Sequence, residues 1–600
     1  MFQSFTAHAD PSQGPARLAA LRKVLKAHNL DGYFIPRADA HQGEYVSDRD
    51  KRLEWLTGFT GSAGFCIALQ DRAGIFIDGR YRNQVRSQVD LDHFTPVNWP
   101  EVQSGDWLLE NLPKGGRVGF DPWLHTIAAY ERLLATIKGA GIDLISGDNL
   151  VDQVRAPIPD APHSAIFAHP LEFAGKSHDD KRAECAADLR AEGHKAVILT
   201  LTDSIAWLLN IRGSDIEHVP VVQGFAILFD NGSVDFFTDP ARPGWDDSHL
   251  GASVAIKPTS AFPDAIAALT GPVRVDADTA PVAIMKILEQ AGLEMARAPD
   301  PCILPKARKN PVEIAGSRAA HLRDGVAMVE FLTWFDATAG RAALTEIDLV
   351  TELESQRRVG NSLKDISFET IAGSGPNGAI MHYSVTEDSN RVLEQGDLVV
   401  LDSGGQYLDG TTDITRTLPV GKVGDEEKTC FTRVLQGMIA ISRLRFPRGL
   451  AGRDIDALAR YPLWLAHQDF NHGTGHGVGS YLSVHEGPQR ISRLSEVPLD
   501  PGMILSNEPG YYRDGAFGIR LENLIVVQEA PRPEGGDDRD MLSFETLTFT
   551  PIDRRLIVVD MLSQGERDWL NDYHRQTLEK LGPRLSSAAR VWLKKACAPI

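Results

Sequence analysis

Through the N-terminal half of the chain, apolar positions run in two similar series. In the first, apolar residues at helical spacing span Leu18 to His28 and a short strand follows at Gly32 to Ile35. Glu54-Trp55-Leu56-Thr57-Gly58 then leads to a further strand, Gly74-Ile75-Phe76-Ile77-Asp78. The second series repeats the order, with a helical run from Asp179 to Glu192 and a strand from Ala196 to Leu201. Ala206-Trp207-Leu208-Leu209-Asn210 and Val234-Asp235-Phe236-Phe237-Thr238-Asp239 complete it. Helices alternating with apolar strands predict α/β layers, and the shared order of four features predicts a duplication.

Two proline-punctuated stretches flank the second series and read as inter-domain linkers. Arg155 to Pro170 carries Pro157, Pro159, Pro162 and Pro170, and Ala298 to Asn310 carries Pro299, Pro301 and Pro305. A helix start follows at once. Asn310 can cap, Pro311 suits the first helical position, and Glu313 stands where a capping box wants its acid. Val326, Val329 and Phe331 continue this long helix, and from Asp397 the pattern changes to short strands separated by Gly and Asp. The third region is therefore read as α+β. Near the C-terminus, Leu570, Tyr573, Thr577 and Leu581 form a stripe at helical spacing, which is read as packing.

Composition narrows the function classes. With 600 residues the chain is expected to hold about three or four domains, and 42% hydrophobic with 24% charged residues is a globular composition. No window approaches the ~18–20 unbroken apolar residues of a membrane span, and MFQSFTAHADPSQG lacks the basic and apolar regions of a secretory signal. Five cysteines without a CxxC pair suit reduced thiols and a cytoplasmic location, so the sequon at Asn231-Gly232-Ser233 carries no weight. A formal charge of −19 argues against nucleic acid as a partner.

Some of that negative charge is arranged for cations. Asp402 ends the apolar strand Asp397 to Leu401, and Asp413 follows after the turn signal Asp409-Gly410, so a hairpin-like return would bring the two together. Gly404 and Gly405 allow close backbone approach there. His476 lies in His472-Gly473-Thr474-Gly475-His476-Gly477-Val478-Gly479. Glu508 follows Met503-Ile504-Leu505, and Glu522 lies in a strand read from Gly518 to Val527, on one face with Arg520. Four carboxylates and one imidazole suit two divalent cations, Mn²⁺ first and Co²⁺ or Zn²⁺ as alternatives. Two such ions about 3.5–4 Å apart can share and acidify a water and polarise a scissile carbonyl.

The order Asp402, Asp413, His476, Glu508, Glu522 around His-Gly-Thr-Gly-His-Gly-Val-Gly resembles the pita-bread peptidases, the family of methionine aminopeptidase, prolidase, aminopeptidase P and creatinase. Asn377 to Tyr383 resembles the family's strand bearing a substrate-side histidine, here His382, and His485-Glu486-Gly487-Pro488 resembles its second such element. Two creatinase-like α/β domains ahead of an α+β pita-bread catalytic domain, with a C-terminal extension, resemble the long three-domain Xaa-Pro aminopeptidases. The implied division is 1–158, 159–305, 306–545 and 546–600. The resemblance implies that Glu508 also shuttles a proton, and that His382 and His485 act at the scissile bond. His472, Arg520 and Arg80 are placed with the substrate-binding residues, Arg80 within its own chain or across a dimer. It also implies a cytoplasmic homodimer acting on peptides with proline second. The competing readings are a prolidase, or a peptide-binding member without catalysis.

Several motifs are decoys. Gly373-Ser374-Gly375-Pro376-Asn377-Gly378 matches GxGxxG, but Pro376 interrupts it and a strand is expected next. His472 and His476 have the spacing of a helical zinc pair, yet Gly473 and Gly475 disfavour a helix.

Overall fold

In the computed structural model, which describes residues 1–7, 9–243 and 248–600, the two N-terminal series fold as the same sheet twice. The first sheet contains β1 (Gly32–Pro36), β2 (Phe65–Leu69), β3 (Ala73–Ile77), β4 (Thr95–Asn98), β5 (Gly116–Phe120) and β6 (Ile142–Ser146), in the order β4-β3-β2-β1-β5-β6. The second contains β7 (Ala196–Leu199), β8 (Phe225–Phe229), β9 (Val234–Phe237), β10 (Val254–Lys257), β11 (Val273–Val275) and β12 (Met295–Arg297). Its order, β10-β9-β8-β7-β11-β12, is the same topology, and parallel and antiparallel pairings fall at matching places. In each half the two central neighbours pair antiparallel on one side and parallel on the other.

The tryptophan that signalled the repeat has a physical role in both halves. Helix α1 (Gly14–Ala27) places Arg17 over the Trp55 ring of α2 (Arg52–Thr57) at 4.8 Å, and Arg17 donates to the Trp55 carbonyl. Helix α3 (His178–Ala191) places Lys181 over the Trp207 ring of α4 (Thr202–Leu209) at 4.4 Å, with Lys181 Nζ 3.0 Å from the Trp207 carbonyl. A cation on the first helix thus clamps the tryptophan helix twice over. Strand β3 is buried at every position, and α1 turns Leu18, Leu21 and Leu25 to the interior. These sheets form one compact unit, His8–Leu171 with Lys176–Ile303; Met1–Ala7, Glu172–Gly175 and Leu304–Ile600 form another.

The second unit opens as its sequence foretells. Helix α5 (Pro311–Thr338) begins with a complete capping box: Asn310 Oδ1 accepts from the amides of Val312 and Glu313 at 2.9 and 3.1 Å, and Glu313 returns an oxygen to the Asn310 amide at 2.9 Å. The stretch before it differs from a plain linker, because Ile303–Ala307 is a short helix. Pro305 sits in its first turn, where no amide donor is needed. After α6 (Glu346–Arg358), a three-stranded sheet forms from β13 (Ile371–Ser374), β14 (Leu398–Ser403) and β17 (Ile414–Pro419), with β14 central. Between β14 and β17 the chain makes a small hairpin, β15 (Gly405–Tyr407) and β16 (Gly410–Thr411).

A six-stranded sheet follows the order β18-β25-β24-β21-β19-β20. Its strands are β18 (Arg445–Pro447), β19 (Gly475–Gly477), β20 (Glu486–Ile491), β21 (Ile504–Asn507), β24 (Asn523–Glu529) and β25 (Met541–Thr546). The pair β22 (Gly510–Arg513) and β23 (Phe517–Arg520) stands beside it in sequence. The short strands expected from Asp397 are interrupted by two helices, α7 (Asp425–Ser442) and α8 (Asp456–Trp464). The C-terminal stripe is helical: α9 (Gln564–Leu581) buries Leu570, Tyr573, Thr577 and Leu581, and shares a core with Val434, Leu435 and Met438 of α7. All five cysteines are buried and outside any disulfide, and among the described residues no helix is long and apolar enough to cross a membrane.

Candidate metal centre

Strand β14 carries Asp402 as its penultimate residue, paired across the ladder with Thr415 of β17, and Asp413 stands immediately before β17. The return is close because Gly404 has no side chain; a Cβ there would lie 1.9 Å from the Thr412 carbonyl oxygen. His476 is central in β19, where Gly475 permits similar contact, 1.9 Å from its ideal Cβ to the Ser506 carbonyl oxygen. Glu508 follows β21. The strand read from Gly518 to Val527 is in fact two, β23 and β24, and Glu522 sits in the break between them. There the buried guanidinium of Arg416 donates from Nη1 to the Glu522 carbonyl at 2.6 Å, and the Glu522 amide donates to the Thr415 carbonyl at 3.1 Å.

Asp413, His476 and Glu522 converge, with one ligand atom from each lying within 4.8 Å of the others. His476 Nε2 is 3.5 Å from Asp413 Oδ2 and 3.6 Å from Glu508 Oε1. Its Nδ1 is 2.9 Å from the Gly477 carbonyl, an acceptor, which places the ring proton on Nδ1 and the Nε2 lone pair toward the acids. Asp402 joins through Arg520, whose Nη2 is 2.6 Å from Asp402 Oδ2. Thr415 Oγ1 donates to Glu522 Oε2 at 2.8 Å and accepts from Arg520 Nε at 3.3 Å, so Thr415 bridges the two, although the break at Glu522 removes the single strand expected to put them on one face.

This donor set is short of positive charge. Burial, then the neighbouring Asp402 and Glu508, push the Asp413 carboxyl well above the usual range. Burial followed by Asp413 and Asp402 does the same to Glu522, and burial raises Glu508 against the pull of His476 and Arg520. Asp402 Oδ1, Asp413 Oδ1 and Glu522 Oε1 are buried without a hydrogen-bond partner. Orphaned carboxylate oxygens around an imidazole lone pair are what divalent cations would satisfy, so the residues fit such ions.

The predicted histidines lie around this cluster in different settings. His485 precedes β20 and meets the His476 ring edge-to-face at 4.3 Å. His472 donates from Nδ1 to the Gly473 carbonyl at 2.7 Å, and its Nε2 is 2.9 Å from the Tyr512 hydroxyl. Tyr512 in turn is 2.7 Å from Arg520 Nη1. His472 and His476 share no helix, in line with their flanking glycines. His382 is not on a strand: a one-turn 3₁₀ helix, Gly375–Ala379, begins at Pro376's turn and His382 follows in a half-buried turn. This also corrects the strand expected after the GxGxxG match; five residues of 3₁₀ helix are no dinucleotide-binding helix. The segment is pinned by buried Glu346 of α6, which accepts from the Ser374 amide at 2.7 Å, Tyr383 Oη at 2.8 Å and Asn377 Nδ2 at 3.1 Å. Arg80 belongs to the N-terminal unit, where its guanidinium forks onto Asp78 at 2.7–3.1 Å and lies 3.7 Å from Glu44.

The sequence pattern of metallopeptidase family M24 matches residues 315–529, and that family's C-terminal region matches 540–600. The creatinase/prolidase N-terminal domain matches twice, at 17–156 and 157–313. A protein from Laccaria bicolor named probable Xaa-Pro aminopeptidase P is 37% identical over 607 residues, covering 97% of this chain and 93% of that one. Aminopeptidase P1 of Lotus japonicus is 38% identical, with 97% and 99% covered. The chain belongs to metallopeptidase family M24, in its aminopeptidase P group. A solved X-prolyl aminopeptidase from Caenorhabditis elegans, described as a cytosolic enzyme with a di-nuclear active site, superposes with a TM-score of 0.92 at 32% identity, over 98% of this chain and 100% of that one. The two like sheets are thus creatinase-type N-terminal domains, and the acids and histidines lie in the pita-bread domain of this M24 protein. Ser506 Oγ accepts from the His476 amide at 2.9 Å and lies 3.3 Å from Glu508 Oε1; its place, like those of Tyr512 and Thr415, has no local sequence signal, since a Tyr in a Gly-Tyr-Tyr-Arg strand or a Ser near a strand end says nothing of its neighbours.

Proposed function

We propose that this chain is an Xaa-Pro aminopeptidase, a hydrolase that removes the N-terminal residue from peptides whose second residue is proline. The observation that carries the reading is the convergence of Asp413, His476 and Glu522 in a buried, cation-deficient cluster with Asp402 and Glu508 beside it, within a chain similar over its length to relatives bearing that name. Asp402, Asp413, His476, Glu508 and Glu522 are the residues that would hold two divalent ions, with Mn²⁺ our assignment and Co²⁺ or Zn²⁺ the alternatives. Such ions, when bound, supply Lewis acidity to water and to the scissile carbonyl.

The remaining work falls to side chains. His476, protonated on Nδ1, keeps its Nε2 available to the cluster. Glu508 holds the proton taken from water on a carboxylate oxygen and delivers it to the leaving proline nitrogen. His382 and His485 donate to the scissile carbonyl as negative charge develops on its oxygen. His472, Arg520 and Arg80 bind substrate, and Arg80 serves the longer peptides. The four-part division at 158, 305 and 545, a homodimer and a cytoplasmic location belong to the same reading; the Caenorhabditis elegans relative is described as cytosolic. The test is elemental analysis with activity: about two divalent ions per chain, loss of Xaa-Pro cleavage on chelation, and recovery with Mn²⁺. Full activity in a metal-free preparation would refute it.

A further inference from the structure

We propose that Arg460, on α8, is a positioning residue that sets the place of His472 through its backbone. The proposal rests on the hydrolytic reading of the metal-fitting cluster. Arg460 is 3% exposed at its side chain and reaches the substrate-binding His472 only at its backbone carbonyl. Its guanidinium distributes its donors over one loop: Nη1 to Asp469 Oδ1 at 2.8 Å and to the Phe470 carbonyl at 2.7 Å, and Nη2 to the His472 carbonyl at 2.7 Å. Nε goes to Asp456 Oδ2 at 2.7 Å, one helical turn back, and the planar group lies 3.9 Å over the Phe470 ring.

Asp456 extends the grip. Its other oxygen accepts from Thr474 Oγ1 at 2.7 Å, so α8 holds residues on both sides of Gly473. The held segment has no ladder of its own until β19 begins at Gly475, and glycine at 473 leaves its backbone soft. The His472 ring faces Tyr512 and, through it, Arg520 and Asp402. His472 is therefore held at its ring by Tyr512 and the Gly473 carbonyl, and at its own carbonyl by Arg460. Only a planar fork can meet a carboxylate, two carbonyls and a second acid together; a lysine ammonium can neutralise Asp456 but not reach that set.

The substitution that isolates this role is Arg460→Lys, which leaves Asp456 a cationic neighbour and so avoids a bare buried carboxylate. Arg460→Lys, His472→Ala and the double variant are purified metal-loaded, and metal content, thermal midpoint and kcat/KM on an Xaa-Pro-Yaa tripeptide are measured for each. Arg460→Lys is expected to keep wild-type metal content and to lose about 10- to 100-fold in kcat/KM, since a misplacement near 1 Å costs that much. In the His472→Ala background the same change is expected to cost less than about threefold, because residues acting as a unit are not additive. Wild-type kcat/KM in Arg460→Lys, full additivity of the two losses, a loss that tracks metal content, or no loss in His472→Ala would each overturn the proposal while the enzyme assignment stands. A metal-loaded wild-type protein that leaves the tripeptide intact would overturn the assignment, and the proposal with it.

Discussion

Arg416 is buried to 1% exposure, and its guanidinium ties the metal-fitting cluster to the C-terminal segment. Nη1 donates to the Glu522 carbonyl at 2.6 Å and the Thr415 carbonyl at 2.9 Å. Nη2 donates to Thr550 O at 2.7 Å, and to Asn523 Oδ1 and Tyr573 Oη at 2.9 Å each, while Nε is 3.3 Å from Pro551 O. Replacing it with methionine keeps the apolar stem and removes every donor. Thr415 O retains the Glu522 amide, and the single Tyr573 hydroxyl proton serves either Thr550 O or Asn523 Oδ1. Glu522 O, Pro551 O and the one of that pair left over lose their donor, at about 1–3 kcal/mol for each buried acceptor left unpaired. Against this stands relief, because burial lowers the Arg416 pKa and removing the guanidinium ends that desolvation. The net expectation is a loss of about 2–4 kcal/mol. Native-state hydrogen exchange of the α9 amides reads it, since a local measurement avoids assuming that a two-unit chain unfolds in one step. A change below about 0.5 kcal/mol at α9, of the size of an ordinary surface substitution, would refute the claim that Arg416 joins the two segments.

Two further changes probe chemistry and acid stability. Glu508→Gln keeps an oxygen ligand but not the proton carrier, so kcat should fall by about 10²- to 10⁴-fold with metal retained; a drop of a few-fold, read by steady-state kinetics beside metal analysis, would place the proton elsewhere. His574 is buried, accepts from the Ile552 amide at 3.1 Å, and has its pKa lowered to about 3, by burial first and then by Arg554 and Arg416. Below its unfolded value near 6.5 the unfolded chain binds the extra proton, so this contribution to stability is lost as pH falls from there toward 3. From pH 7 to pH 5 the loss is about 2 kcal/mol, and exchange at α9 in wild type compared with His574→Gln should show that difference. An equal pH dependence in both proteins would contradict it.

Features written locally were legible in the sequence. The helix start at Asn310-Pro311-Val312-Glu313 is a short-range code, and the fold executes it atom by atom. The repeated tryptophan marked a duplication because each ring answers to a cation one helix earlier. Acids at strand ends marked the cluster because β14, β17 and β21 leave the core there. Other features depended on distant partners. At the break, the Glu522 carbonyl is held by Arg416, over a hundred positions earlier in the chain. The turn bearing His382 is gathered by Glu346 from another helix. The apolar stripe of α7, with Phe431, Val434, Leu435 and Met438 buried, is written in the sequence at helical spacing, between segments whose Gly and Asp punctuation reads as strands.

As an Xaa-Pro aminopeptidase, this chain cuts the bond before a penultimate proline in peptides that continue beyond it. Metal-loaded enzyme is assayed on an Xaa-Pro dipeptide, its Xaa-Pro-Yaa extension and the matching Xaa-Ala-Yaa peptide, and kcat/KM is compared. An aminopeptidase leaves room past the proline, whereas a prolidase grips the proline carboxylate itself, commonly with an arginine clamp. The expected result is cleavage of the tripeptide at the Xaa-Pro bond, a much lower value for the dipeptide, and discrimination against alanine of a few kcal/mol, the scale a close-fitting pocket can reach. A preference for the dipeptide, or equal cleavage of the alanine peptide, would contradict it.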